Sequence, residues 1–469
     1  MRSLLRALAV ICVSAASLGA ESPQGSQQPP STSSLSQQAP QQPLQPPLAQ
    51  SQTPAANTGL PGTPKPLTLQ EAESIALKNN PQITVGKLLA LQSHQFVTES
   101  RSALLPNAFL SITGVGANAG SRVAAGALNN PVIFPRVSEG ATVSQLITDF
   151  GRTTNLLSSS KFQAAAADQN AIATRDQIIL VVDQAFYNVL DNNALVLVAQ
   201  ETVKARQTMV DQIGALTKAK LKSDLDLSFA RVDLARGKLL LLEAQNSAMA
   251  ALAQLSAVLG YPDIQNFAPV EEQFTIAPPA PDVAPLIQAA MQQRPEIASL
   301  QAQVESAQKY ARAEHDLWMP TVSALGVVGE APIRDPHIPN WYGAAGVNIN
   351  IPVFNGFLYN ARAKSADLQT EVNRQRLSDL RNSIARDVRD AWQDTNRAFE
   401  RLSVTQQLEE EATLAINLSR SRYNLGLGSI VELSQAQLQK TQADIDVTDA
   451  RYQYRLSQIL LAYATASPH

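Results

Sequence analysis

No proline occurs from residue 136 to residue 261, nor from residue 353 to residue 467. Proline inside a helix removes a hydrogen bond and clashes with the preceding turn, so its absence over such spans permits very long helices. From Arg152 to about Thr217 the first span reads as one helix, ~98 Å long at 1.5 Å per residue. Helices of globular proteins average about 10 to 14 residues. A helix several times that length has no place in an ordinary globular core; it implies a coiled-coil-like or tubular assembly.

The two proline-free spans belong to an internal repeat, which fixes the organisation of the chain. KNNPQI at 78–83 matches QQRPEI at 292–297, pairing Pro81 with Pro295 and Ile83 with Ile297 at an offset of 214. Pro106 pairs with Pro320 at the same offset. Further on the offset is 206, where Asp149 pairs with Asn355, Arg175 with Arg381, Val182 with Val388, Ala185 with Ala391, Ser223 with Ser429, Asp226 with Glu432 and Ala230 with Ala436. The first copy therefore carries eight extra residues between Pro106 and Asp149.

Each copy (67–262 and 284–467, joined by a linker at 263–283) has the same order of elements. A first helix (about 68–103 and 284–317) ends before a proline, since the residue preceding proline avoids helical angles. Two strands follow, expected at about 107–115 and 141–149, then 321–329 and 344–354. Their period of two is plain in Val347, Ile349, Ile351 and Val353 alternating with Asn348, Asn350 and Pro352. In the first copy Ala141, Val143, Gln145 and Ile147 alternate with Thr142, Ser144 and Leu146, a weaker pattern. Long helices (152–217 and 357–423), a turn, and return helices (225–258 and 430–466) complete each copy.

The start MRSLLRALAVICVSAASLGA has a basic end, an apolar run and small residues, which together read as a secretory signal peptide over residues 1–20. The sole cysteine, Cys12, lies inside that apolar run and not behind it, so lipidation is not expected. Residues 21–66, rich in Pro, Gln and Ser, lack apolar periodicity and read as a disordered tether. Beyond the leader no apolar run reaches the ~18 residues of a membrane-spanning helix. Any membrane contact must then come from strands closed into a barrel. Charged residues are only 16% of the chain, against about 25% in an average soluble protein, so part of the surface faces something other than bulk water. Lysine plus arginine (37) nearly balances aspartate plus glutamate (40), which gives no reason to expect nucleic acid.

Four strands do not close a barrel, because small closed barrels need about eight. An open strand edge is not tolerated in lipid, so several chains must contribute. Three chains would supply twelve strands, with Asn348, Asn350, Thr142 and Ser144 on faces suited to water and the Val and Ile faces suited to lipid.

Three segments carry a resemblance: LTLQEAESIALKNNPQI, PVFNGFLYNARAKSADLQ, and RYNLGLGSIVELSQAQ followed by ARYQYRLSQILLAYATA. In this order, and duplicated, they resemble the TolC-type outer-membrane efflux proteins over about residues 67–467. The resemblance implies a mainly α fold with a membrane β-barrel: a homotrimer forming a 12-stranded outer-membrane barrel on a long periplasmic helical barrel. It also implies a conduit for small molecules or proteins, working with a periplasmic adaptor (a membrane fusion protein) and an inner-membrane transporter. The competing reading is a non-conducting, periplasm-spanning scaffold or adhesin, which leaves the strand pairs unexplained.

The same resemblance assigns roles to the two helix-turn-helix tips as a periplasmic mouth. Tyr423 falls on the family's tip tyrosine, Asp226 on an acidic residue of the closing bonds, and Glu432 on the first of two acids ringing the entrance. Gln435 stands where the second acid is expected and Gly428 where a closing arginine is expected, so the latch must differ and draw on Arg420, Arg422, Lys220 or Lys222. The alternative for Asp226 and Glu432 is a first-turn acid favoured by the helix dipole. Leu425-Gly426-Leu427 resembles the adaptor-docking tip; its counterpart Ala219-Lys220-Leu221 departs from that pattern.

Asp149-Phe150-Gly151 spells the metal-binding tripeptide of protein kinases, but no Gly-rich loop, paired strand lysine or catalytic loop accompanies it. By the repeat it lies on Asn355-Gly356-Phe357, and both follow a strand and precede a long helix. Asp149 and Asn355 are therefore expected as helix N-caps at strand-to-helix joints, with Gly151 and Gly356 easing the bend. His94, His315, His337 and His469 lack metal-ligand spacing, and no catalytic constellation or cofactor site is recognisable.

Overall fold

Pro81 and Pro295 break helices that the sequence reading ran through. The structure, a computed structural model, describes residues 64–118, 135–271, 276–332, 337 and 339–466. The expected signal peptide, the tether up to residue 63 and His469 lie outside the described residues. Where one helix was expected at 68–103 there are two, α1 (Leu69–Asn79) and α2 (Pro81–Ser102). Likewise 284–317 divides into α5 (Ala284–Gln293) and α6 (Pro295–His315), followed by a short 3-10 turn. The cause is the one that ends these helices at Pro106 and Pro320. Asn80 (ψ 121°) and Arg294 (ψ 124°) precede a proline and are pushed into the extended region. Asn80 then caps α2, its side chain accepting from the Gln82 amide at 2.9 Å.

Strands β2 (Asn107–Val115), β3 (Arg136–Thr148), β5 (Thr321–Glu330) and β6 (Trp341–Asn350) form one antiparallel sheet in the order β2-β3-β5-β6. Asn107 faces Ser144 in the first hairpin and Thr321 faces Asn350 in the second. The two offsets of the repeat, 214 and 206, carry one register onto the other, so the extra residues of the first copy lie in its hairpin loop. Strand β3 begins five residues earlier than expected and β6 ends before Ile351. Pro352 donates no ladder hydrogen bond, which leaves Ile351 and Val353 outside the strand despite their alternation.

A small sheet was not anticipated. Strand β1 (Lys65–Leu67) pairs in parallel with β4 (Phe267–Pro269). The end of the expected tether and part of the expected linker are therefore ordered against each other. Leu67, 1% exposed, joins a core with Ala72, Ala76, Phe186, Tyr187 and Leu255. Alanines on α1 allow close approach to the long helix, and each buried large side chain contributes ~1.5–3 kcal/mol.

The long helices are α3 (Arg152–Lys218) and α7 (Leu358–Asn424), each of 67 residues. They double back through α4 (Asp224–Val258) and α8 (Ile430–Thr465), making two antiparallel hairpins. Helix α8 packs on α3 and α4, while α2 lies on α3 and α6 bridges α3 and α7. Among the described residues no helix is long and apolar enough to cross a membrane. The strands carry exposed apolar side chains, Phe109, Leu110, Ile112, Val347 and Ile349 among them, and so do the helices, as at Leu88, Leu91 and Leu197.

Candidate functional site

The two hairpin tips are built on the same plan. In the first, Ser223 is the N-cap of α4, and its hydroxyl accepts from the Asp226 amide at 3.1 Å. The Asp226 carboxylate reaches back to the Ser223 amide at 3.4 Å and closes a capping box. In the second, Ser429 caps α8 and accepts from the Glu432 amide at 3.1 Å. The Glu432 carboxylate turns away from its own cap and meets Arg422 across the turn, Nε to Oε1 at 3.3 Å. Arg422 also donates to the Leu427 carbonyl at 3.4 Å. A Cβ at Gly428 would lie 3.3 Å from Arg422 and from the Glu432 carboxylate, so the pair lies directly against the glycine.

Tyr423 is 3% exposed. It packs among Met209, Ile213, Ala230, Ile430 and Leu433, residues of the three other helices of the two hairpins. Its hydroxyl has no hydrogen-bond partner among the described residues. Burial raises the phenol pKa, and the nearby Asp226 charge raises it further. Lys222, on the first turn, lies over the Tyr423 ring with Nζ 3.8 Å from its centroid and donates to the Tyr423 carbonyl at 3.4 Å. Lys222 and Tyr423 thus cross from one hairpin to the other. Arg420 is exposed on a groove of about 530 Å³ between α3 and the second hairpin, beside Glu201 and Lys440.

Lys220, Leu221, Leu425, Gly426 and Leu427 form the exposed ends of the turns, the three leucines each at least 70% exposed. Lys220 (φ 59°) and Gly426 (φ 75°) occupy the same left-handed slot at the offset of 206. The apolar cluster around Tyr423 escaped the sequence reading; its signal is the helical spacing of Met209 with Ile213 and of Ile430 with Leu433.

At the strand-to-helix joints the structure corrects one expectation and refines another. The N-caps by position are Gly151 and Phe357, not Asp149 and Asn355. Asp149 still supplies capping bonds from two residues upstream: its carboxylate accepts from the Thr153 amide at 2.8 Å and from the Gly151 amide at 3.3 Å. Asn355 does not, since both polar atoms of its side chain lack a hydrogen-bond partner among the described residues. Each joint turns through two consecutive left-handed residues, Phe150-Gly151 and Gly356-Phe357, with phenylalanine and glycine exchanged. Where two successive residues take positive φ, glycine relieves only one, and the strained phenylalanine takes the other.

A sheet with open edges and apolar strands, carried on two very long helical hairpins, is the architecture of an outer-membrane channel subunit. The chain belongs to the outer membrane efflux protein family, whose model matches residues 73–261 and 286–467. It is 23% identical over 420 residues to outer membrane protein TolC of Escherichia coli (strain K12), covering 84% of this chain and 82% of that protein. It is 25% identical over 332 residues to the cobalt-zinc-cadmium resistance protein CzcC of Cupriavidus metallidurans, covering 68% of this chain and 72% of that protein. The fold is similar to the Campylobacter jejuni CmeC outer membrane channel (TM-score 0.73, 17% identity, 85% of each chain). It is also similar to the open state of the Neisseria gonorrhoeae MtrE outer membrane channel (TM-score 0.70, 19% identity, 85% of this chain and 88% of that one). The protein is an outer-membrane efflux channel, and the scaffold or adhesin alternative is not favoured.

Proposed function

We propose that three copies of this chain close a 12-stranded barrel in the outer membrane and continue as a helical tunnel whose entrance is the ring of hairpin tips. The sheet supplies the observation that carries this reading. Among the described residues its outer strands β2 and β6 each have one unpaired edge, and with the order β2-β3-β5-β6 they run in opposite directions. The β6 of one copy can therefore continue the antiparallel ladder onto the β2 of the next, which removes every open edge from lipid. Residues 1–20 serve as a signal peptide for export to the periplasm, without lipidation of Cys12.

In this reading Lys222 and Tyr423 hold the entrance closed between the hairpins, Asp226, Arg422 and Glu432 shape its two tips, and Arg420 lines its side. Three copies of Glu432 around a narrow mouth favour cations. The exposed leucines and Gly426 at the tips dock a periplasmic adaptor that joins the channel to an inner-membrane transporter. The transporter selects the cargo, whether small toxic molecules or proteins. The chain's role is passage, with no catalytic step.

The test is purification from detergent-extracted outer membranes, with mass determination, migration before and after boiling, and planar-bilayer recording. A heat-modifiable trimer with cation-preferring conductance is expected. A monomer without conductance would overturn the proposal.

A further inference from the structure

Above the Tyr423 cluster a buried arginine joins three helices. Arg206 of α3 is 7% exposed. Its Nη1 donates to the Asp233 carbonyl of α4 at 2.8 Å, and its Nη2 donates to the Thr441 hydroxyl of α8 at 3.3 Å. The Asp233 carboxylate, itself buried, accepts from the Ser434 hydroxyl of α8 and lies 3.6 Å from the exposed Arg236. Two separate links, Arg206–Thr441 and Asp233–Ser434, therefore tie the first hairpin to the second at one level.

Two costly features meet there. Taking a guanidinium out of water is unfavourable, and burial lowers the pKa of Arg206 despite Asp233. Gly237 also sits inside α4, where glycine weakens a helix relative to alanine. A Cβ at that position would come within 3.2 Å of the Arg206 side chain, so the glycine clears the path by which the arginine lies across α4. An apolar contact would hold these helices together without either cost. What the network adds is directionality: its two bonds to the α8 hydroxyls form in one relative position of the helices and are lost in others.

We infer that the Arg206–Asp233–Ser434–Thr441 network is a second latch, which fixes the α7–α8 hairpin against the α3–α4 hairpin independently of the tip residues. It lies about 21 Å above Lys220 by helical rise, with the apolar cluster between them. The inference rests on the reading of the tips as an entrance. The closed arrangement then has three layers: the Lys222–Tyr423 contact, the apolar cluster, and the buried network. Loss of the tip contact alone leaves the hairpins registered by the network.

Two variants of the full chain test this in planar bilayers. Arg206→Met keeps the bulk of the side chain and removes both bonds. It is expected to raise conductance about twofold or more by shifting population toward separated hairpins, with the oligomer intact on gels. The double variant Asp233→Cys/Ser434→Cys replaces the hydrogen bond with a disulfide; the only native cysteine is Cys12. Its conductance is expected to be low when oxidised and to rise about twofold or more on reduction in the same bilayer, which needs no separate folding control. If Arg206→Met folds and conducts like the native channel, or if the oxidised pair and its reduced form conduct alike, the second latch is wrong. If the native protein forms no channel, the entrance reading itself has failed, and that outcome is separate from the other two.

Discussion

The two hairpin tips share a backbone and differ in what their side chains do with it. Each has a serine N-cap followed three residues later by an acid, Ser223 with Asp226 and Ser429 with Glu432. Asp226 has a short side chain and bonds back to its own cap. Glu432 is one methylene longer and finds Arg422 across the turn, whereas the first tip has Leu216 at the matching position. The left-handed slot is filled by Lys220 in one tip and by Gly426 in the other. The duplication has preserved angles and caps while the cross-tip contacts diverged. The links between hairpins come from residues without an equivalent partner: Lys222 is matched by Gly428, and Tyr423 by Thr217.

The largest effect is expected where this asymmetry is deepest. Tyr423→Ala removes a buried aromatic from the cluster that joins the hairpins and should cost ~3–5 kcal/mol. Thermal melting should show the loss, and single-channel recording should show higher conductance; an unchanged melting temperature would mean the cluster does not hold the tips.

The long helices show the same divergence farther from the tips. Asp183 is fully buried on α3, while its counterpart on α7, Arg389, is exposed. Burial, then the charge of Glu73, pushes the Asp183 carboxyl up to about 8, and Arg455 opposes this. The folded protein keeps a proton that the unfolded chain releases near pH 4, so stability falls as pH rises from about 4 to about 8 and levels off above that. Asp183→Asn should flatten this slope and raise stability at neutral pH in denaturant titrations. A slope equal to the native one would exclude Asp183 as its source.

Lys222→Met keeps the stem over Tyr423 and removes the charge, for an expected loss of ~0.5–2 kcal/mol. Lys220→Gly makes the first tip's backbone like the second and should relieve left-handed strain, shifting stability upward by up to ~1 kcal/mol. A destabilised Lys220→Gly protein would show that the lysine side chain holds its turn. Glu432→Gln should change stability by less than ~1 kcal/mol, because its pair with Arg422 is exposed. Its expected readout is a weaker cation preference in bilayers, and native selectivity would remove Glu432 from the ion path.

Much of this was legible in the residues. The offsets of 214 and 206 are enough to superpose the strand registers, and the proline-free spans mark the long helices. The breaks at Pro81 and Pro295 follow from the same rule that applies at Pro106 and Pro320, since the residue before each proline is pushed into the extended region. The β1–β4 pair was hidden because three-residue strands carry no period, and their partners lie some 200 residues apart. At the tips, residue type flagged Asp226 and Glu432 equally, although one carboxylate is spent on its own helix cap and the other crosses the turn.

The sequence by itself determined what is local or periodic: helix length, strand alternation, the serine caps and the duplication. Each follows from backbone sterics and from side chains a few residues apart. Only the tertiary structure decided that Tyr423 is buried beneath Lys222, and that Arg206 reaches α4 and α8. It also decided that Asp149 caps from two residues upstream while Asn355 caps nothing. These depend on which helices lie side by side, and side-chain reach across a helix interface leaves no spacing in the chain to read.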